Sequence, residues 1–375
     1  MIYLDNAATS FPKPASVYDR IDEVLRTVGG NPGRSSHTMA IEAARVVYNA
    51  RESVAFLIGA PDSGRVAFTK NATEAINAAL KGLLGPGDHV VTSAFEHNSV
   101  VKSLARLEKA GVEVTKVSPD REGFLRPRDI EAAMKKNTKM VCISHASNVF
   151  GALQPLGEIG KACKSRGVWF MVDGAQTVGA LGFDVTSMGV DILAATGHKA
   201  LFGPQGTGFL YLAEGIEAAP LVDGGTGEAG SPLEMPELLE AGTMNTPGIG
   251  GLAAGVRFLL EERVEKVREK EAGLVEAVLR GFASMKGISV IGPAQASRRA
   301  SLVSFNIDGK KPGEVGLRLD DEAGIMIRCG THCAPDAHRC SGTFPDGAAR
   351  VSPGYFNTDQ DIEEFLKAVR ALTRP

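Results

Sequence analysis

Asp191-Ile192-Leu193-Ala194-Ala195-Thr196-Gly197-His198-Lys199 reads as an apolar strand that runs into a polar turn and ends on a lysine. Where a strand leaves the core a lysine amine is partly desolvated, so its pKa falls and it can condense with an aldehyde. A lone lysine is more often a solvated surface charge, so the reading of Lys199 depends on its surroundings. Flanking it are two further apolar runs, Val168 to Val172 and Thr207 to Leu212, preceded by His89 to Thr92, Val112 to Val117 and Lys139 to Ser144. Helical stretches such as Asn98 to Lys109 and Leu156 to Ser165 separate most of them. Short buried strands alternating with helices predict an α/β chain whose largely parallel sheet is covered on both faces.

Ligands of such sheets bind beyond the carboxyl ends of the strands. Glu96-His97-Asn98, Asn148, Asp173-Gly174-Ala175-Gln176 and His198-Lys199 all fall at predicted strand ends, so residues distant in sequence face one pocket. Arg65 to Thr69 reads as a strand feeding a helix that opens Asn71-Ala72-Thr73-Glu74. Backbone N–H groups and a hydroxyl in that first turn suit a phosphate, while Asn71 or Thr73 can equally serve only as a cap. Asp173 can keep a pyridinium nitrogen protonated, Lys199 can hold an aldehyde, Thr73 a phosphate, and His97 can stack on a ring. Together these four needs describe pyridoxal phosphate.

At 375 residues, 43% of them hydrophobic, the chain is long enough for two cores. A net charge of -3 offers no field to attract nucleic acid or anionic lipid. No run of 18 apolar residues occurs and Asp5-Asn6 follows the start closely, so neither a membrane span nor a signal peptide is expected, and the protein is read as cytoplasmic. Gly225-x-Gly227-x-x-Gly230 matches the dinucleotide fingerprint by letter, but Pro232 intervenes and no helical pattern follows; residues 223–247 read as a long loop or short hairpin. A long amphipathic helix from about Gly251 to Met285, broken or bent near Gly273, opens a second, smaller domain with strands near Ser289 to Ile291 and Leu302 to Ile307. Thr358-x-x-Asp361 is a capping box that starts the last helix.

With these residues in view, the sequence resembles the class V branch of the fold-type I pyridoxal phosphate enzymes, and within it the group II cysteine desulfurases and selenocysteine lyases. The resemblance runs through Tyr3-Leu4-Asp5-Asn6-Ala7-Ala8-Thr9, Asn71-Ala72-Thr73-Glu74, Glu96-His97-Asn98, Ser147 to Gly151, Asp173-Gly174-Ala175-Gln176, Thr196-Gly197-His198-Lys199, Glu240-Ala241-Gly242-Thr243, Arg328 to Ala334, and Arg350 before Tyr355-Phe356-Asn357-Thr358. It implies a mainly parallel seven-stranded sheet in a large domain, residues 15–250, and a smaller α+β domain formed by residues 1–14 and 251–375. It also implies that Gln176 bonds the cofactor's phenolic oxygen, that Thr73, Thr196 and His198 meet its phosphate, and that Ala72 is a further cofactor-binding residue. Thr243 would reach the phosphate of a neighbouring subunit in a homodimer. Asn148, Arg328 and Arg350 would meet the substrate, with Arg350 a bidentate partner of its carboxylate.

Arg328-Cys329-Gly330-Thr331-His332-Cys333-Ala334-Pro335, with His338 and Cys340 close behind, admits three readings. Soft ligands at close spacing fit zinc, which would make the chain a metal-binding module without catalysis. Buried structural thiols suit Cys142 in a strand and Cys163 on a helix. The resemblance makes Cys333 the nucleophile, its thiolate favoured by Arg328, His332 and His338 if they point toward it. On that reading L-cysteine, or L-selenocysteine, becomes alanine, and a sulfur-acceptor protein or small thiol takes the sulfur from Cys333. Cys329 stands where a hydroxyl residue is expected and Cys340 is an extra thiol; either could pair with Cys333 or relay its sulfur.

Overall fold

The computed structural model describes residues 1–33, 35–224 and 234–373; the Gly225-x-Gly227-x-x-Gly230 run lies outside the described residues. The first half of the chain builds β1 (Ile2–Tyr3), α1 (Ala15–Thr27), α2 (Thr38–Leu57), β2 (Val66–Thr69), α3 (Ala72–Leu83), β3 (His89–Ser93), α4 (Asn98–Glu108), β4 (Glu113–Val117), α5 (Pro127–Ala133), β5 (Thr138–Ser144), α6 (Leu156–Ser165), β6 (Trp169–Asp173), β7 (Ile192–Thr196) and β8 (Gly208–Leu212). Seven of these strands form one sheet in the order β2-β8-β7-β6-β5-β3-β4. Only β8 runs against its neighbours; the pairs among β7, β6, β5, β3 and β4 are all parallel.

Alternation along each strand divides the side chains between two cores. Val141, Ile143, Phe170, Val172, Leu193 and Ala195 enter one, while Met140, Cys142, Met171, Ile192 and Ala194 enter the other. Because helices cover both faces, the central strands read as nearly continuous apolar runs rather than alternating ones. The polar residues that end them, Ser144, Asp173 and Thr196, therefore emerge together at one edge.

The second half adds α7 (Thr246–Glu262), α8 (Val264–Ala283), β9 (Ile288–Ile291), β10 (Val303–Ile307), α9 (Pro312–Ala323), β11 (Ile325–Met326), β12 (Arg328–Gly330), α10 (Pro335–Ser341), β13 (Ala348–Val351) and α11 (Asp359–Leu372). A four-stranded antiparallel sheet, β12-β13-β10-β9, packs with α8, α9 and α11 on a third core. At its centre Phe305 meets Phe282 at a ring separation of 4.6 Å and Phe365 at 6.1 Å. The capping box is formed: Thr358 accepts from the Asp361 N–H, and the Asp361 carboxylate accepts from the Thr358 N–H.

The long helix does not bend at Gly273. It breaks between α7 and α8 at Arg263, whose φ is 67°, and Gly273 lies inside α8 where an added Cβ would meet nothing. Residue 251 falls within α7, and Leu252, Val256 and Leu259 of that helix share the core of the large sheet. The third core takes its first helical residue, Leu274, from α8. The chain start belongs to that core as well: β1 pairs in parallel with β11 and Leu4 is buried beside them. Among the described residues no helix is long and apolar enough to cross a membrane.

Candidate active site

Where β5, β6 and β7 end, a cavity of about 280 Å³ opens between the two sheets. Ala72, Thr73, His97, Asn148, Asp173, Gln176, Thr196, His198, Lys199, Arg328 and Arg350 all line it. The large sheet supplies Asp173 and Thr196 from strand ends, and the small sheet supplies Arg328 and Arg350 from β12 and β13. These two arginines are direct cross-strand partners, which puts them side by side on one face of the small sheet.

One end of the cavity is built for an anion. The Asn71 side chain caps α3 by accepting from the Glu74 N–H at 2.9 Å, leaving the helix's first turn and the Thr73 hydroxyl beside the cavity. Thr196 Oγ1 and His198 Nδ1 are buried there without any hydrogen-bond partner in the protein. Burial, then the Lys199 and Lys13 charges, lowers the His198 pKa to about 4, so its ring is neutral and keeps one donor. Two buried orphans next to a helix N-terminus fit a phosphate, which would satisfy both.

Farther in, Asp173 Oδ1 accepts from the Ala175 N–H at 2.9 Å, which fixes the carboxylate at the end of β6. Gln176 donates to the Ala7 carbonyl at 3.1 Å. The Lys199 amine is lowered to about 8 chiefly by burial, against the opposing pull of Asp173, with Arg350 and Arg328 lowering it further. Its turn is clamped from the chain start, because the His198 carbonyl accepts from the Ser10 N–H at 2.9 Å and the Thr9 hydroxyl at 3.1 Å. His97 is the N-cap of α4: its Nδ1 accepts from the Ser99 N–H at 3.1 Å, which leaves the neutral ring's proton on Nε2. Burial lowers its pKa, partly offset by Asp173.

Glu96 was not singled out by the sequence beyond its place at a strand end. It is buried, accepts from the Ser144 hydroxyl at 2.6 Å and the Ser144 N–H at 3.0 Å, and is raised to about 7 by burial, with those bonds lowering it and Asp173 raising it. A glutamate in a loop is normally solvated, and nothing local signals its enclosure.

The substrate end differs in detail from expectation. Asn148 turns its amide to the His332 carbonyl at 2.6 Å, so it braces the cysteine turn. His332 and Cys333 have φ of 52° and 59°, left-handed values that cost non-glycine residues about 1 kcal/mol each. Cys333 is exposed at the cavity mouth, on an adjoining groove shared with Thr73, His97 and Ser99. Arg328 Nη2 lies 3.3 Å from its sulfur. The two histidines have other partners: His332 Nδ1 meets His338 Nε2 at 3.2 Å, and His338 Nδ1 meets the Thr343 hydroxyl at 2.7 Å.

The thiols diverge. Cys329 packs against Gly316 of α9, Cys340 reaches the Ala94 carbonyl at 3.4 Å, and the described residues contain no group of three or more side chains able to hold a metal ion. Thr243 is outside the cavity of its own chain, where it meets Asn31 Nδ2 at 3.2 Å. It follows a buried bidentate pair in which Arg51 donates to both Glu240 oxygens at 2.7 and 2.9 Å.

The sequence profile of the class-V aminotransferases matches residues 2–365. The chain belongs to this family. A probable cysteine desulfurase of Methanothermobacter thermautotrophicus is 36% identical to this class-V chain over 372 residues, spanning 96% of it and 92% of the relative. Another, from Pyrococcus abyssi, is 35% identical over the whole chain and 94% of the relative. Among solved structures, the apo cysteine desulfurase of Thermococcus onnurineus superimposes with a TM-score of 0.94 at 35% identity, covering 99% of this chain and 94% of that one. The cysteine desulfurase CsdA of Escherichia coli gives 0.88 at 28% identity, with the same coverage. The mainly parallel seven-stranded sheet expected from the sequence is the fold of this family.

Proposed function

We infer that this class-V chain is a pyridoxal-phosphate-dependent cysteine desulfurase that converts L-cysteine to L-alanine and carries the sulfur as a persulfide on Cys333. The observation that carries this reading is the meeting of Lys199, Asp173 and the orphaned Thr196 and His198 in one cavity whose mouth holds the exposed Cys333 under Arg328.

Thr73, Thr196 and His198 would hold the cofactor's phosphate, Asp173 its ring nitrogen, Gln176 its phenolic oxygen, and His97 would cover its ring. When bound, the cofactor supplies an electron sink for charge that develops on the substrate's α-carbon. Lys199, with a pKa near 8, is neutral often enough at physiological pH to take the α-proton. Arg350 binds the substrate carboxylate. Cys333 Sγ attacks the substrate sulfur: an S–S bond forms, the Cβ–S bond breaks, and its electron pair stays on the carbon fragment, which takes up one proton at Cβ and regains the α-proton from Lys199 to become alanine. Arg328 stabilises the anionic sulfur beside it. A second thiol then attacks the outer sulfur and frees Cys333. Thr243, outside the cavity of its own chain, completes the phosphate site of a partner subunit, so the working unit is a homodimer.

Cys333→Ala should keep the visible absorbance of bound cofactor and lose persulfide formation and sulfide release from cysteine. Desulfuration at the full rate by that variant overturns the persulfide step. Lys199→Ala should lose the characteristic absorbance itself.

A further inference from the structure

Arg350 is fully buried, and a guanidinium without solvent needs a partner and a fixed plane. Its Nη1 donates to the Asn148 carbonyl at 3.2 Å and its Nη2 to Asp5 Oδ1 at 2.9 Å, whereas Nε is buried with no acceptor. Two of its three nitrogens are thus pinned and the third is left over. Asp5 is itself held from both sides: Tyr3 donates to its carbonyl at 3.1 Å, and the neighbouring backbone is locked to the residue after β13 by Asn6 N–H to the Ser352 carbonyl and Ser352 N–H to the Leu4 carbonyl. Arg328, Tyr3, Asp173 and Cys333 also act on Arg350 or Lys199 here, and among the described residues Asp5 is the one carboxylate paired with the arginine.

We propose that Asp5 is a positioning residue for substrate binding, orienting Arg350 so that its remaining donors meet the carboxylate of the amino-acid substrate. The idea rests on the reading of Arg350 as that carboxylate's partner. The effect parallels metal sites, where loss of the hydrogen-bonded group that aims a ligating side chain weakens binding by about 10- to 100-fold. An asparagine at position 5 keeps an acceptor oxygen but loses the charge that holds the guanidinium, and a glutamate keeps the charge one methylene farther along.

The test is titration of the cofactor-loaded protein with L-alanine and with L-alaninamide, which lacks the carboxylate, followed by absorbance. Asp5→Asn is expected to weaken L-alanine about 10-fold and leave L-alaninamide unchanged, with Asp5→Glu recovering part of the loss. Equal weakening of both ligands, or tighter L-alanine, overturns the proposal. Should Asp5→Asn fail to fold, as judged by circular dichroism, Asp5→Ser, which also removes the carboxylate, decides: unchanged discrimination between the two ligands refutes the positioning role. Arg350→Gln separates the layers. If it leaves the preference for L-alanine intact, the carboxylate reading of Arg350 is wrong and Asp5 falls with it. If it abolishes that preference while Asp5→Asn does not alter it, only the role of Asp5 is lost.

Discussion

Replacing Lys199 by methionine should make the cofactor-free protein more stable at neutral pH. Burial holds the amine at about 8 instead of 10.5, and each tenfold change in proton affinity is worth about 1.4 kcal/mol. The full difference is about 3 kcal/mol, or about 2 kcal/mol once solvent reaching the partly exposed side chain is allowed for. The sign follows from proton uptake. Between pH 8 and 10.5 the unfolded chain binds the proton more tightly than the folded one, so the fold bears the cost in full below pH 8 and sheds it as pH rises to 10.5. Methionine has a similar shape and no charge to desolvate. Urea titrations of the two cofactor-free proteins at intervals from pH 7 to 10 should therefore show the variant ahead by about 2 kcal/mol at pH 7, with the gap closing on the alkaline side. Equal stability at pH 7, or a gap that does not shrink, would mean that Lys199 is solvated and is not primed as a nucleophile.

Arg51→Met strips the partner from buried Glu240 and should cost roughly 3 kcal/mol in urea unfolding, far more than loss of a surface pair such as Arg26–Asp22. His338 is held neutral by burial, with a pKa of about 4, so it adds stability above pH 6.5 that drains away at about 1 kcal/mol per pH unit as pH falls toward 4; His338→Gln should flatten the acid limb of a stability profile. Gly292 has φ of 89°, and a Cβ there would lie 1.9 Å from the Phe150 carbonyl oxygen, so Gly292→Ala should lower stability by about 3 kcal/mol in thermal unfolding.

The sequence made the cavity's floor legible because β6 and β7 are unbroken apolar runs, so the first polar residue after each marks a strand end. Asp173 and the Thr196 to Lys199 turn are found that way from period and position alone. The same reasoning fails for the roof. Asp5 and Arg350 lie 345 residues apart, and no local pattern joins them; the chain start carried a family signature without a physical role. Histidines near Cys333 looked like helpers of its thiolate, but their hydrogen bonds run to each other and to Thr343. An isolated glycine weakens a helix, which makes Gly273 the expected place for a break or bend. Gly273 sits inside the unbroken α8, and the turn instead uses Arg263 at positive φ, for which sequence offers no sign.

The stitching of residues 2–7 onto residues 325–352 bears on the order of events during synthesis. A growing polypeptide releases its earlier residues first, yet β1 has nothing to pair with until residues 325–326 are made, and Asp5 and Asn6 wait for residues 350–352. The large sheet can form early around β3, β5, β6 and β7, with its ligand edge still open. Docking of β1 onto β11 and of Asp5 onto Arg350 therefore follows formation of the large sheet, whereas Thr9 and Ser10 can clamp the His198 carbonyl before it.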